Sequence, residues 1–303
     1  MKRDLLTILD LSRDEIFYLL ELAKTLKRKW KEGEKFPDYS KKTVGLLFEK
    51  PSTRTRISFE VAIYRLGGHA IYMTPRDTQL SRDETLADTA KVLSRYLDGL
   101  VVRTFGHNVV EELAHNSTIP VINGLTDTFH PCQVLSDLFT LMEKRGNLEN
   151  LKVAWVGDGN NVAHSWINAA ARLGFTLWIS CPEGYWPDEK IIENARNLEG
   201  KNIFLVSDPR EAVADAEVIN TDVWASMGQE AEAEKRKEIF RPYQVNGELL
   251  KHAPSDVYVM HCLPAHRGEE ITDDVMDGAN SIVFDQAENR LHFQIALLAW
   301  LLG

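Results

Sequence analysis

The sequence has few cysteines, no long apolar run and no excess of basic residues. Its three cysteines, Cys132, Cys181 and Cys262, form no C-x-x-C pair, which favours free thiols in a reducing cytosol. No apolar stretch approaches the roughly 18 residues that a membrane span needs, and no apolar signal segment follows Met1. The net charge of -10 argues against nucleic acid or an anionic membrane as the main partner. The sequence therefore predicts a cytoplasmic protein that binds neither nucleic acid nor membrane.

The sequence also lacks the phosphate-binding motif G-x-x-x-x-G-K-[ST] and a complete metal-ligand pattern. His261, Cys262 and His266 are close in the chain, but no second ligand pair completes a zinc-like spacing. We therefore expect neither a metal nor another cofactor. An apolar fraction of 44% and a charged fraction of 26% are those of an ordinary globular protein.

Strand-length apolar segments alternate with helix-length stretches along both halves of the chain. In the first half these segments are Thr43–Phe48, His69–Met73, Gly99–Arg103 and Pro120–Asn123, followed by the amphipathic stretch Pro131–Lys144. In the second half they are Lys152–Val156, Thr176–Ser180, Ile203–Val206, Glu217–Thr221, Tyr258–His261 and Ser281–Phe284. Such alternation is typical of parallel sheets covered by helices, and 303 residues are long for a single core.

The predicted fold is therefore α/β, with two doubly wound parallel-sheet domains and an active-site cleft between them. We expect the first domain to span residues 1–145 and the second to span residues 146–303. The final helix, within residues 286–303, is apolar enough to be buried and is expected to pack back on the first domain.

One stretch, Ser52-Thr53-Arg54-Thr55-Arg56, lies where the first predicted strand ends and a helix begins. Free backbone N–H groups and the helix dipole favour an anion at such a position. Hydroxyl groups and guanidinium forks add donors that suit phosphate oxygens. The competing interpretation, a Ser/Thr-capped helix with two solvated arginines, has about even weight on these residues alone.

Polar segments follow other predicted strands in the same way, and ligands bind beyond the carboxyl ends of strands in open parallel sheets. These segments are Arg103, His130-Pro131-Cys132-Gln133, Gly157-Asp158-Gly159-Asn160-Asn161, Asp222-Val223-Trp224-Ala225-Ser226-Met227-Gly228 and His261-Cys262-Leu263-Pro264.

Four of these motifs, in this order, resemble those of the aspartate/ornithine carbamoyltransferase family, over nearly the whole chain. Residues 52–56 resemble its carbamoyl phosphate motif and His130–Gln133 its second signature. The segments Asp222–Gly228 and His261–Pro264 are similar to motifs of the ornithine branch. The resemblance implies transfer of a carbamoyl group from carbamoyl phosphate to L-ornithine, giving citrulline and phosphate in arginine biosynthesis or breakdown. It also implies a homotrimer or an assembly of trimers.

The resemblance assigns roles to individual residues. It implies carbamoyl phosphate contacts at Ser52, Thr53, Arg54, Thr55, Gln79, Arg103, His130, Gln133, Cys262, Leu263 and Arg290. Gln79 resembles the position that reaches a neighbouring subunit's phosphate site. The family resemblance also implies ornithine contacts at Asn161, Asp222, Ser226 and Met227. The residues implied in catalysis are Arg54, Arg103, His130, Asp222 and Cys262. A thiolate, a carboxylate or the departing phosphate could take the proton of the attacking amine.

Other interpretations of the same residues are open on sequence. Arg103 could be a surface ion-pair partner, His130 a turn histidine and Cys262 an inert core thiol. The segment Gly157–Ala163 matches G-x-G-x-x-A and favours a nucleotide-dependent oxidoreductase when taken alone, although Glu183 is poorly placed as the ribose-binding acid. Within the family, the acceptor could instead be aspartate, putrescine or acetylornithine. A non-catalytic binding subunit is a further alternative.

Overall fold

The computed structural model describes residues 2–79, 83–198, 202–226, 228 and 230–303. The chain divides into two compact units, Met1–Lys144 with Glu288–Gly303, and Arg145–Ala287. Each unit contains one parallel sheet with helices in the strand connections, so the predicted α/β class with two parallel-sheet domains is confirmed.

The first unit is built on a four-stranded sheet. In chain order its elements are α1 (Arg13–Glu32), β1 (Thr43–Phe48), α2 (Arg54–Arg65), β2 (His69–Met73), α3 (Leu86–Tyr96), β3 (Gly99–Arg103), α4 (His107–Asn116), β4 (Val121–Leu125) and α5 (Pro131–Arg145). The strand order is β2-β1-β3-β4 and every pair is parallel. All four strands therefore end at the same edge of the sheet, where the segments that follow β1, β3 and β4 begin.

Local sequence explains the first helix. The Ser12 hydroxyl accepts from the Glu15 N–H while the Glu15 carboxylate accepts from the Ser12 N–H, which is a capping box. Gly33 ends the helix in the left-handed conformation, with φ 66°. The residues of its buried face are Ile16, Leu19, Leu20, Ala23 and Leu26, as their spacing predicts.

The second unit is built on a five-stranded parallel sheet. Its elements are β5 (Lys152–Val156), α6 (Asn161–Leu173), β6 (Thr176–Ser180), α7 (Glu189–Asn197), β7 (Ile203–Leu205), α8 (Pro209–Val213), β8 (Val218–Thr221), α9 (Ala233–Phe240), α10 (Gly247–Leu250), β9 (Tyr258–His261) and α11 (Asp273–Met276). The strand order is β7-β6-β5-β8-β9, so the direction of winding reverses between β5 and β8. Ligands bind at such switch points, which is where the segments after β5 and β8 lie.

The prediction of a strand at Ser281–Phe284 is wrong. Ser281 forms a single parallel bridge with Val259, and helix α12 (Val283–Leu302) begins two residues later. A short apolar run at the start of an apolar helix has the same composition as a buried strand, so periodicity does not distinguish them.

Helix α12 packs on the first unit from Glu288 onward, as predicted. Phe293, Leu297 and Leu298 are fully buried, and the Tyr39 hydroxyl donates to the Ala299 carbonyl at 2.8 Å. Even this helix does not combine the length and apolarity of a bilayer-spanning segment, and neither does any other helix in the described residues.

Candidate active site

The turn between β1 and α2 presents hydroxyl and amide groups at the edge of the first sheet. The Ser52 hydroxyl accepts from the Thr55 N–H at 3.2 Å, and Thr53 stands at the N-cap with no side-chain cap bond. The Thr55 side chain is buried and its hydroxyl accepts from Arg290 Nη2 at 2.8 Å. This bond joins the last helix to the first motif, which are 235 residues apart in the chain.

The two arginines of the motif have different surroundings. Arg54 is close enough to His130 to act on the imidazole electrostatically. Arg56 instead donates to Glu60 at 3.0 Å and lies 3.5 Å from the centre of the Tyr72 ring. Arg56 therefore has a partner on its own helix, because its place on α2 directs it to the i+4 carboxylate.

His130 lies in a strongly positive environment. Burial and the charges of Arg290, Arg103 and Arg54 hold the pKa of His130 well below its ordinary value of 6.5. Arg103 and Arg290 are themselves buried, and Arg103 ends β3. The neutral imidazole can donate one hydrogen bond while the three guanidinium groups supply the positive potential that a dianion needs. His130 is thus part of a charged cluster rather than an ordinary turn histidine.

Gln133, in the first turn of α5, has an amide whose orientation is fixed. Its Nε2 donates to the buried Asp137 Oδ1 at 2.8 Å, so Oε1 points the other way. Within the described part of the chain, this buried Oε1 accepts no hydrogen bond. A ligand NH₂ group would satisfy it. Gln133 Oε1 is therefore available to a donor of this kind.

Lys50 and a cavity beside Arg103 were not predicted from sequence. The Lys50 ammonium is buried, forms an ion pair with Asp127 and lies 4.2 Å from the centre of the Phe105 ring. A cavity of about 280 Å³ is lined by Arg103 and by Leu47, Glu49, Pro75, Glu84, Leu86, Val102, Thr104 and Val109. Gln79, by contrast, is exposed in the loop after β2.

In the second unit, Asp222 is the centre of a hydrogen-bond network at the end of β8. Its Oδ2 accepts from Asn160 Nδ2 at 2.8 Å. Its Oδ1 accepts from the Val223 N–H at 2.8 Å and from the Cys262 thiol at 2.9 Å. The Cys262 thiol is hydrogen-bonded and only partly buried, so Cys262 is not a fully buried core residue. Asn161 follows Asn160 as the first residue of α6.

The turn after β9 is held by two buried side chains. His261 Nδ1 accepts from the Leu263 N–H at 2.8 Å, and His261 Nε2 lies 2.8 Å from Glu270 Oε1. Leu263 has a φ of 62°, which is rare for a side chain of this size. The thiol, imidazole and carboxylate atoms of Cys262, His261 and Asp222 lie within 4.8 Å of one another. Hydrogen bonds among these residues and their neighbours account for their arrangement.

A buried ion pair beside this network was also missed from sequence. Arg236 Nη1 lies 3.2 Å from Asp158 Oδ1 and donates to the Trp224 carbonyl at 2.8 Å. Burial raises the pKa of Asp158 to about 6, although Arg236 acts in the opposite direction. Arg236 stands in a charged segment, Glu234-Lys235-Arg236-Lys237-Glu238, whose composition predicts a solvated face. Composition alone therefore does not predict that Arg236 is buried in an ion pair.

The G-x-G-x-x-A segment is not arranged for a dinucleotide. A Cβ on Gly159 would lie 2.2 Å from the Pro187 backbone nitrogen, so the chain itself occupies the close approach that a pyrophosphate would need. Asn160 Oδ1 accepts from the N–H groups of Val162 and Ala163 and thereby uses the donors of the helix N-terminus. The oxidoreductase interpretation loses its physical basis.

Two predicted ornithine residues remain. Ser226 is half-buried in the segment after β8, and Met227 lies outside the described residues. The structure therefore brings Asp222, Asn161 and Cys262 to the carboxyl edge of the second sheet.

Family models match nearly the whole chain. Residues 3–143 match the carbamoyl-P binding domain of aspartate/ornithine carbamoyltransferase, and residues 149–301 match its Asp/Orn binding domain.

Individual relatives are similar over nearly their full length. The ornithine carbamoyltransferase of Syntrophus aciditrophicus is 57% identical over 298 residues, covering 98% of this chain and 99% of that protein. The ornithine carbamoyltransferase of Anoxybacillus flavithermus is 54% identical over 303 residues, covering 99% of this chain and 96% of that protein. A solved structure of the ornithine carbamoyltransferase from Pyrococcus furiosus is 56% identical, with a TM-score of 0.92, over 98% of this chain and 96% of that chain.

Proposed function

The chain belongs to the aspartate/ornithine carbamoyltransferase family, and on that premise we propose that it transfers the carbamoyl group of carbamoyl phosphate to the terminal amine of L-ornithine. The products are L-citrulline and phosphate. The observation that carries the proposal is the group of three arginines, Arg54, Arg103 and Arg290, around a neutral His130. The names of the similar enzymes support ornithine as the acceptor.

Carbamoyl phosphate would be bound by the first unit. Its phosphate would lie at the N-terminus of α2, against Ser52, Thr53, Arg54 and Thr55. The carbonyl oxygen would accept from His130 and Arg103, which stabilise the charge that develops there when the amine attacks. The carbamoyl NH₂ would donate to Gln133 Oε1.

Ornithine would be bound by the second unit through its α-amino acid group. A carboxylate has about four acceptor positions, and three donors already bond Asp222. The remaining position suits the substrate's α-ammonium. Asn161, Ser226 and Met227 are the further proposed contacts.

The attacking amine must be neutral, although the pKa of a free alkylamine is far above 7. The Cys262 thiol already donates its proton to Asp222, so it is a donor in this arrangement. Cys262 and Leu263 are proposed contacts of the reacting groups. The departing phosphate is the proton acceptor that requires no rearrangement of these bonds.

An acceptor panel tests the function. Purified enzyme with saturating carbamoyl phosphate is given ornithine, putrescine, acetylornithine or aspartate, and the carbamoylated product is measured. We expect kcat/KM for ornithine to exceed that of the others by about 100-fold or more. Putrescine and acetylornithine have no free α-ammonium to fill the remaining position on Asp222, and aspartate has only its α-amine, which cannot fill that position and attack at the same time. A higher kcat/KM with any other acceptor would contradict the proposal.

We also propose a cytoplasmic location and assembly as a homotrimer or as several trimers. The three free cysteines support a reducing compartment. The side chains of Ile57 and Tyr64 on α2 are 52% and 78% exposed, and they are seven positions apart, so they share one helix face. Exposed apolar residues on one face are typical of a subunit interface.

A further inference from the structure

Glu270 has no role in the proposed reaction, yet its carboxylate is completely buried beside the turn that carries Cys262 and Leu263. Its Oε1 lies 2.8 Å from His261 Nε2 and accepts from the His266 N–H at 2.6 Å. Its Oε2 makes no hydrogen bond to any of the described residues. The polar contacts of this carboxylate are therefore made by one oxygen.

The hydrogen bonds determine which nitrogen of His261 carries the proton. Nδ1 accepts from the Leu263 N–H at 2.8 Å, so Nδ1 has no proton. The proton is then on Nε2, which donates to Glu270 Oε1. An acceptor at the position of Glu270 Oε1 thus selects the tautomer that can hold the Leu263 N–H.

This bond fixes an unusual backbone conformation. Leu263 has a φ of 62°, and a large side chain adopts a positive φ only where its surroundings impose it. The neighbouring Cys262 donates its thiol proton to Asp222 Oδ1 at 2.9 Å. A change in the turn would move both the thiol and Leu263.

We propose that Glu270 is a positioning residue that acts through the His261 tautomer to hold Cys262 and Leu263 in place for carbamoyl transfer. The inference rests on the proposed function, in which those two residues contact the reacting groups. Glu270 itself touches neither substrate in this arrangement. Small displacements of positioned groups lower turnover strongly, so the effect belongs in kcat.

The test compares two substitutions that differ in the acceptor oxygen. Glu270→Gln keeps an oxygen for His261 and His266, and we expect kcat within about threefold of wild type. Glu270→Met removes the oxygen at similar size, and we expect kcat to fall about 10- to 100-fold. The KM for carbamoyl phosphate should stay within about threefold in both variants, because the first unit supplies most of its proposed contacts. Glu269→Met is the matched control, since Glu269 is partly exposed and pairs with Lys237.

Equal kcat in Glu270→Met and wild type would overturn the inference, and so would an equal loss in both Glu270 variants. If Glu270→Met does not fold, the variants His261→Asn and His261→Gln test the inference instead. Asparagine can place an acceptor near the Nδ1 position and glutamine near the Nε2 position, so we expect the higher kcat in His261→Asn. The reverse order would overturn the inference. Wild-type enzyme that does not carbamoylate ornithine would contradict the proposed function instead.

Discussion

Arg54 and Arg56 are two residues apart in the chain, but their guanidinium groups meet different partners. Arg54 contributes to the positive potential at His130, whereas Arg56 bonds Glu60 and stacks on Tyr72. Replacing each arginine in turn therefore distinguishes the loss of a charge that acts at the site from the loss of a charge that only lies near it.

Arg54→Ala should raise the KM for carbamoyl phosphate about 10- to 100-fold, because a hydrogen bond to a charged group contributes about 1.5–3 kcal/mol. Arg56→Ala should change that KM less than about threefold, because an exposed i,i+4 ion pair contributes only about 0.3–0.5 kcal/mol, and to stability. Steady-state kinetics at saturating ornithine measure both. Similar KM values for the two variants would remove the phosphate assignment of Arg54.

Residues at strand ends could be predicted, whereas residues that act through buried contacts could not. The positions of Arg103 and His130 follow from strands that end at the same sheet edge. Arg236 stands in a helix rich in charged residues, and its burial depends on the aromatic rings of Tyr185 and Phe240 that cover it. No local pattern in the sequence records that contact.

At the scale of elements, strands that alternate with helices were predictable and helix faces were less so. Strand β1 has the predicted bounds, because its apolar run is bounded by polar turns. In α2 the apolar Ile57 is exposed while Thr55 and Phe59 are buried. Contacts with neighbouring elements, such as the bond from Arg290 to Thr55, therefore determine which face of α2 is buried, and hydrophobic periodicity does not.

Asn160 shows how one residue can serve both an element and the site. Its Oδ1 caps α6 by accepting from two N–H groups, and its Nδ2 orients Asp222. Asn246 caps α10 in the same unit by accepting from the Leu249 N–H, but its Nδ2 donates to Gln244 rather than to Asp222. The two caps allow stability and acceptor binding to be separated.

Asn160→Ser keeps a good cap but is too short to reach Asp222, so its stability should stay within about 0.5 kcal/mol of wild type. Its KM for ornithine should rise about three- to tenfold, since the carboxylate loses a donor that orients it. Asn246→Ala should lose about 1 kcal/mol of stability with an unchanged KM. Urea unfolding and steady-state kinetics test the pair. If the KM for ornithine rose with the loss of stability in both variants, Asn160 would have no specific role in acceptor binding.

At the scale of the whole molecule, net charge and local charge have opposite signs. The chain carries a net charge of -10, yet three arginines surround His130. Over distances beyond about 10 Å salt screens the global field, whereas the buried guanidinium groups act at short range. A small dianion can therefore bind an acidic protein, so the net charge of -10 does not argue against carbamoyl phosphate as a substrate.

The proposed trimer makes a prediction at this scale. Wild-type enzyme should scatter light as three subunits of 34.4 kDa or a multiple of three. Tyr64→Asp should dissociate it, because a buried unpaired carboxylate is strongly unfavourable at an interface. Leu198→Asp, at an exposed apolar position of the second unit, should leave the mass unchanged.

Gln79 is exposed within its own subunit and is proposed to reach a neighbouring phosphate site, so the dissociated variant should also lose activity. An active monomer would contradict that role for Gln79, since a site complete within one chain has no need of it.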